Sequence, residues 1–276
     1  MNNINAIKFI SEGVSIISLD KEGEPSSVSL EYSYDGANWN TWNLCSLKIN
    51  SGDTLYIRGY NTKGFSSDPL AYYKFIIEGD DVSCSGNIMS LIDYKNLPDV
   101  IPCSYCFYGL FENCNALTTA PELPATELTD CCYSYMFYGC SSLTTAPELP
   151  ATTLAEQCYG CMFSGCSSLT TAPELPATTL AEYCYSYMFS ECISLKIAPE
   201  LPATTLADSC YYRMFNNCTS LKTVPELPVK TMTDFCYSYM FSGCSGLTTA
   251  PNELADNNYP TFQGCTMLKD NKWTEF

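Results

Sequence analysis

The sequence predicts a small antiparallel β-sandwich at residues 1–82, followed by an α/β solenoid at residues 83–276. The first part consists of short apolar runs separated by turn residues, a pattern typical of a sandwich with about seven strands. The second part repeats itself every 26 residues. A fixed period of this length indicates one supersecondary unit stacked many times. We therefore expect a solenoid with a parallel sheet on one face and short helices on the other.

The strands of the first part are predicted from the alternation of apolar and polar side chains. The run from Val28 to Tyr34 shows it most clearly, as expected for a strand with one buried face. Asp35-Gly36 and Ser51-Gly52-Asp53 favour turns between runs. Strands are predicted at residues 7–9, 14–19, 28–34, 47–49, 55–58 and 73–77.

The repeat is defined by columns of identical residues. One column contains the phenylalanines Phe111, Phe137, Phe163, Phe189, Phe215 and Phe241. Cysteines form two further columns, beginning at Cys106 and Cys114, and leucines form another, beginning at Leu117. Residues 84–105 match the pattern as an incomplete first repeat. Phe262 to Leu268 match it after a shortened interval of 21 residues, which predicts a C-terminal cap.

Residues 143–168 illustrate the predicted fold of one repeat, which is a short strand, an extended proline-bounded segment and a short helix. Thr153 and Glu156 have the spacing of a capping box at the start of that helix. Apolar residues follow at helical spacing: Leu154, Cys158 and Met162. Gly165 stands where a left-handed residue would end the helix.

The repeat unit CYSYMFSGCSGLTTAP, with ELPATTLA, resembles the BspA-type leucine-rich repeat surface proteins of anaerobic, often gut-dwelling, bacteria. The resemblance covers residues 84–268. The run LEYSYDGANW followed by LYIRG is also similar to the sandwich module that precedes such repeats in related secreted proteins. The resemblance implies cell-surface display and adhesion, and it implies no particular reaction.

Composition excludes several classes of function. The net charge is −17 and basic residues form no block, so nucleic acid and anionic membrane surfaces are poor partners. No run approaches the roughly 18 apolar residues of a membrane span. Histidine is absent, which excludes the usual Ser-His-Asp and Cys-His catalysis and removes a common metal ligand. We expect no enzymatic activity and no cofactor.

The 18 cysteines are interpreted as free, small, buried hydrophobes of the repeat core. Oxidised pairs stay open as an alternative, because strands about 4.8 Å apart place neighbouring cysteines within disulfide range. Cys103 with Cys106, and Cys158 with Cys161, have the Cys-x-x-Cys form of redox motifs. Both lie inside the repeats and outside any thioredoxin-like context, so a redox role is disfavoured.

An acidic column is the second candidate for chemistry: Glu122, Glu148, Glu174, Glu200 and Glu226. We interpret it as a solvated edge that keeps the solenoid soluble. The alternative is a site for a hard cation such as calcium between neighbouring carboxylates.

The third candidate is a ligand surface made of aromatic and basic residues. Tyrosines on the outer side of the predicted helices could stack on sugars or anchor a protein partner. The alternative is that they pack between neighbouring helices. Lysines replace threonines midway along the strand face. The possible ligand surface comprises Tyr135, Tyr187, Arg213, Tyr239, Lys196 and Lys222.

These features favour a non-enzymatic adhesion or binding protein that presents a rigid surface to a host or matrix protein, or to a glycan. We expect no nucleic-acid partner and no direct membrane insertion. A structural component of a larger surface or fibre assembly is the alternative. A glycosidase is disfavoured, because no acid pair stands out from its column. The start of the chain lacks the features of a signal peptide. For a cell-surface or extracellular protein, we expect that a signal or lipid anchor has been removed.

Overall fold

The computed structural model describes residues 4–227, 232–249 and 261–268. These residues form nine strands and one four-residue helix. The elements are β1 Ile7–Ser11, β2 Ser15–Glu22, β3 Leu30–Ser33, β4 Asn40–Thr41, β5 Leu47–Ile49, β6 Thr54–Gly59, β7 Tyr72–Gly79, β8 Val82–Ser85, α1 Ser90–Asp93 and β9 Leu117–Thr119.

The nine strands belong to two sheets. One sheet has the order β4-β3-β6-β1-β8-β9 and the other the order β5-β2-β7. All neighbours are antiparallel except β8 and β9, which are parallel. The sheets contact each other through buried aromatic side chains, and the rings of Phe9 and Phe75 lie 5.4 Å apart. β8 begins at Val82 and pairs with both β1 and β9, so the larger sheet continues across the domain boundary predicted after residue 82.

The helices predicted for the repeats are wrong. Among the described residues α1 is the only helix, and the segment after each proline is a chain of tight turns. Thr153 does not cap a helix, because it forms a parallel bridge with Glu127 of the preceding repeat. The left-handed conformation predicted at Gly165 is confirmed, with a φ of 77°. It closes a turn rather than a helix.

Backbone amides in these turns alternate between two kinds of partner. The N–H of Ser134 donates to the carbonyl of Cys131 within the same repeat, at 3.2 Å. The N–H of Phe137 donates to the carbonyl of Met162 in the next repeat, at 2.9 Å. Five amides per repeat point onward in this way: those of Cys131, Tyr133, Tyr135, Phe137 and Gly139. Their partner carbonyls point back, so successive repeats are joined by columns of aligned peptide groups.

This arrangement requires left-handed residues at every fourth position. Cys131, Tyr135 and Gly139 have φ values of 55°, 58° and 71°. The conformation costs about 1–3 kcal/mol at a residue other than glycine. The hydrogen bonds between repeats offset that cost, because each satisfies an amide that would otherwise be buried without a partner.

On the other side of each repeat, successive repeats pair in parallel as predicted, but through few hydrogen-bonded residues. β9 is its only strand among the described residues, and isolated bridges such as Thr119 to Thr145 and Thr171 to Ile197 continue it. The N–H of Thr144 donates to the carbonyl of Thr118 at 3.1 Å.

The predicted columns form the core. The rings of Phe137 and Phe163 are 5.6 Å apart with 5° between their planes, and the other phenylalanines of the column stack in the same way. Phe262 continues the stack at 5.3 Å from Phe241. Residues 269–276 of the predicted cap lie outside the described residues.

All 18 cysteines are free thiols, and one of their columns has a polar role. The Sγ of Cys166 donates to the carbonyl of Phe137, 3.1 Å away, and the same contact recurs along the column. Burial raises the pKa of Cys114, the first thiol of this column, to about 12, and its Sγ donates to the carbonyl of Phe75. These cysteines therefore pack as hydrophobes while donating hydrogen bonds as thiols.

The N-terminal sheets cover the first repeat. The N–H of Ser66 donates to the carbonyl of Cys106 at 3.0 Å, and the N–H of Phe75 donates to that of Leu110 at 2.7 Å. These amides take the place that a preceding repeat would occupy. One continuous hydrophobic core runs through both regions.

Candidate functional site

A groove of about 560 Å³ crosses the turn side of the repeats. We call it the tyrosine groove. Tyr135 and Tyr138 border it on one side, and Tyr183, Tyr187, Tyr212 and Arg213 on the other. The two walls thus belong to repeats that are separated by one intervening repeat.

The groove follows from the short side chains of the intervening repeat, one of which stands where both neighbouring repeats have a tyrosine. Cys161 occupies the column of Tyr135 and Tyr187, and Ser164 occupies the column of Tyr138. Both residues line the groove. The phenylalanine stack advances 5.6 Å per repeat, so the replacement of one tyrosine by Cys161 leaves Tyr135 and Tyr187 two repeat steps apart.

The phenols of Tyr135 and Tyr187 are neutral at physiological pH, because the pKa of each is raised. Burial raises the pKa of Tyr135, and a hydrogen bond with the Cys161 thiol raises it further. Burial also raises the pKa of Tyr187, as does the neighbouring phenol of Tyr212. Neutral phenols can both donate and accept hydrogen bonds, and their rings offer flat apolar surfaces.

Arg213 contributes the positive charge of the groove. Its guanidinium carbon lies 4.8 Å from the ring centroid of Tyr239, 5.5 Å from that of Tyr212 and 5.7 Å from that of Tyr187. Its Nε is buried and has no hydrogen-bond partner. The other arginine of the chain, Arg58, pairs with Glu31 at 2.7 Å. Within the described ranges Arg213 belongs to no ion pair.

The structure brings together four of the six predicted ligand residues. Tyr135, Tyr187 and Arg213 line the groove, and Tyr239 contacts Arg213 from the next repeat. Lys196 and Lys222 are exposed but do not line it. They lie on the strand side, where the N–H of Lys196 donates to the carbonyl of Thr170 at 3.3 Å.

Tyr138 and Ser164 are groove residues that the sequence prediction missed. The available signal was Tyr138 itself, because the same column has serine at Ser164, Ser190 and Ser242, and it lies next to the change from tyrosine to cysteine at Cys161. The helices between which the tyrosines were expected to pack are absent from the described residues. The rings instead contact one another in the turns, for example Tyr187 and Tyr212 at 5.3 Å.

The acidic column is exposed along its length, from Glu122 to Glu226. A search of the described ranges finds no group of three His, Cys, Asp or Glu side chains that could hold a metal ion. The same ranges contain no helix long and apolar enough to cross a membrane.

Comparison with known proteins identifies the repeats. The family model for the BspA type leucine-rich repeat region matches residues 104–213 and 186–275, with six copies. Neither a curated protein nor a solved structure matches the chain.

Proposed function

Because the chain belongs to the BspA-type leucine-rich repeat family, we propose that it is a non-enzymatic adhesion or binding protein. It would be displayed at a cell surface or secreted, and it would present its repeats to a host or matrix protein or to a glycan. Proteins of this family are generally surface-associated, and the leucine-rich repeat is generally an interaction fold without catalysis. The bacterial gut origin and a separate sandwich module at residues 1–82, serving as a spacer or anchor, stay predictions.

The tyrosine groove is the observation that carries this proposal. Its volume of about 560 Å³ falls in the range of known ligand sites, about 300–1,000 Å³. Tyrosine and arginine are also the residues that most often dominate the binding energy of an interface. The hydrogen bonds between repeats hold the walls in place, so a ligand would meet a surface that is already ordered.

A binding screen against glycans and matrix proteins tests the proposal. We expect a ligand whose affinity falls about thirty-fold or more in Tyr187→Ala, since an interface hot spot is worth at least about 2 kcal/mol. Tyr34→Ala is the matched control, because Tyr34 is an exposed tyrosine that directly follows β3 and does not line the groove. A blank screen would overturn the proposal. Multimerisation without any ligand in sedimentation velocity would instead favour a structural part of a surface or fibre assembly.

A further inference from the structure

We infer that the tyrosine groove binds a carboxylate-bearing sugar, with the sugar ring against the tyrosines and its carboxylate on Arg213. This inference rests on the proposed function, and it names the ligand class of the same site. Three properties of the groove carry it: an arginine without a counter-ion, a backbone without free hydrogen-bonding groups, and two aromatic walls with one repeat between them.

The guanidinium of Arg213 has no anionic partner among the described residues and could bind an anionic group. Tyrosine rings surround it and its Nε lacks a partner, although a guanidinium normally uses its donors in pairs. Glu191 lines the same groove without forming an ion pair with it. Since Nε itself is buried, a carboxylate from a ligand would pair with the terminal amino groups of this guanidinium and gain a charge-assisted hydrogen bond in a partly desolvated position.

The backbone of the groove disfavours a peptide ligand. Every residue that lines the groove already uses its amide N–H in a backbone hydrogen bond, either within its repeat or to the next one. An extended peptide binds most readily to a free strand edge, and this face offers none. A ligand here must be recognised through side chains alone.

The side chains of the groove suit a hydroxylated ring. Phenol rings stand on both walls, and the amide of Gln157 and the carboxylate of Glu191 border the space between them. Aromatic faces pack against the C–H face of a pyranose, while phenol, amide and carboxylate groups bond its hydroxyls. The short side chains of Cys161 and Ser164 leave room for a ring to enter between the walls.

The net charge of the chain further restricts how many negative charges the ligand can carry. The chain has a net charge of −17, which repels a densely charged polyanion at long range. A single guanidinium can compensate one carboxylate. The expected ligand therefore carries isolated carboxylates, as uronic or sialic acids do within otherwise neutral oligosaccharides.

Calorimetry with two pairs of matched ligands tests the inference. The first pair is a tetrasaccharide of alternating glucuronic acid and N-acetylglucosamine and its carboxyl-reduced form; the second is sialyllactose and lactose. We expect at least one acidic sugar to bind about ten-fold or more tightly than its neutral partner, as for a charge-assisted hydrogen bond. The pair that shows the preference identifies the source of the carboxylate.

Three variants locate the site. Arg213→Gln removes the guanidinium and should abolish the preference for the acidic sugar. Lys222→Gln makes the same change in net charge outside the groove and should leave binding unchanged. Cys161→Tyr restores the tyrosine of its column and should fill the groove. Its backbone φ of 55° equals that of Tyr187, so we expect the variant to fold. Thermal unfolding of each variant checks the fold.

The outcomes separate this inference from the proposed function. In one outcome, acidic and neutral sugars bind equally well, with binding blocked by Cys161→Tyr but unchanged in Arg213→Gln. This result would overturn the inferred recognition of a carboxylate, and the protein would still be a glycan-binding protein. Capture of a matrix protein with no sugar bound would overturn the inference and leave the proposed function. If neither sugars nor matrix proteins bind, both fail.

Discussion

Phe75 and Phe111 stack face to face, with 5.0 Å between their ring centroids and 14° between their planes. Phe75 belongs to β7 of the N-terminal sheets, and Phe111 is the first ring of the phenylalanine column. Trp42 stacks on the far side of this pair, 6.3 Å from Phe75. The two regions are therefore packed as parts of one core.

We predict that this shared core makes the N-terminal sheets and the first repeats unfold together. Phe75→Ala should cost about 3–5 kcal/mol, as expected when a buried phenylalanine is truncated. Urea unfolding followed by tryptophan fluorescence and by circular dichroism should give coincident transitions, both shifted by the substitution. Tyr34→Ala, at an exposed position, is the control. Two separate transitions, with only the fluorescence one shifted, would contradict the prediction.

The hydroxyl of Tyr133 is buried without a hydrogen-bond partner, so Tyr133→Phe should stabilise the protein by about 1–3 kcal/mol. Phenylalanine fits the column, because Phe107 already stacks on Tyr133 at 5.8 Å with 7° between the rings. Tyr72→Phe provides a control of opposite sign. The Tyr72 hydroxyl donates to Glu112 at 2.8 Å, so its loss should cost about 1 kcal/mol. Chemical unfolding measures the change in the free energy of unfolding for each variant. Equal changes in the two variants would contradict the difference expected between an unpaired and a paired hydroxyl.

Glu191→Gly should stabilise the fold by about 1 kcal/mol, because Glu191 has a φ of 62° in a conformation that glycine adopts without strain. Gly139, Gly165 and Gly243 occupy the same column. Asn217→Gly is the matched control. Asn217 has a φ of 61°, and asparagine tolerates this region, so a smaller gain is expected. A loss of stability in Glu191→Gly on thermal unfolding would show that the side chain matters more than the backbone.

Stability should fall at alkaline pH. Burial raises the pKa of Cys114, Cys210 and Cys265 to about 12, whereas an unfolded thiol has a pKa of about 8.5. The unfolded state therefore loses protons first. The contribution of these thiols is complete below pH 8.5 and is lost as the pH rises towards 12. Each thiol adds a slope of about 1.4 kcal/mol per pH unit in that window.

Urea unfolding at several values between pH 7.5 and 10.5 measures that slope. The variant Cys210→Ala should show a slope smaller by about one proton, because it removes one titrating group. A free energy of unfolding that is constant over this pH range would contradict the conclusion that the cysteines of the two columns are buried and reduced.

Most of the N-terminal strands could be predicted from the sequence, because alternation with a period of two has few other causes. The prediction missed β4 and β8. β4 has only two residues, both exposed, and so carries no alternation. β8 has an alternating burial pattern, but its four residues lie where the repeats begin. Its pairing with β1 and β9 connects residues far apart in the chain, which local reasoning does not detect.

The helix was predicted wrongly because an α-helix and this chain of tight turns bury residues at nearly the same interval. Buried residues recur at every fourth position through Cys158, Met162 and Cys166, as the turn geometry requires. In an α-helix, a step of four residues drifts by only about 40°, so three such residues still form one stripe. The sequence pattern alone does not distinguish them over so short a segment.

The sequence could predict which residues of the candidate site share a face, but not which columns of the repeats come together. Tyr135, Tyr187 and Arg213 share a column, and residues of one column must lie on one face of any stack. Lys196 and Lys222 differ from their columns as clearly but lie on the other side. Only the fold shows which departures from the repeat converge, and Cys161 with Arg213 do so in the tyrosine groove.

The aligned peptide groups of the repeats also set an order of assembly. Each repeat presents five amides that stay open until the following repeat is made. The N-terminal sheets, which leave the ribosome first, satisfy the carbonyls of the first repeat. Each new segment then arrives at a template that is already in place. Synthesis and folding can thus proceed in the same direction, one 26-residue layer at a time.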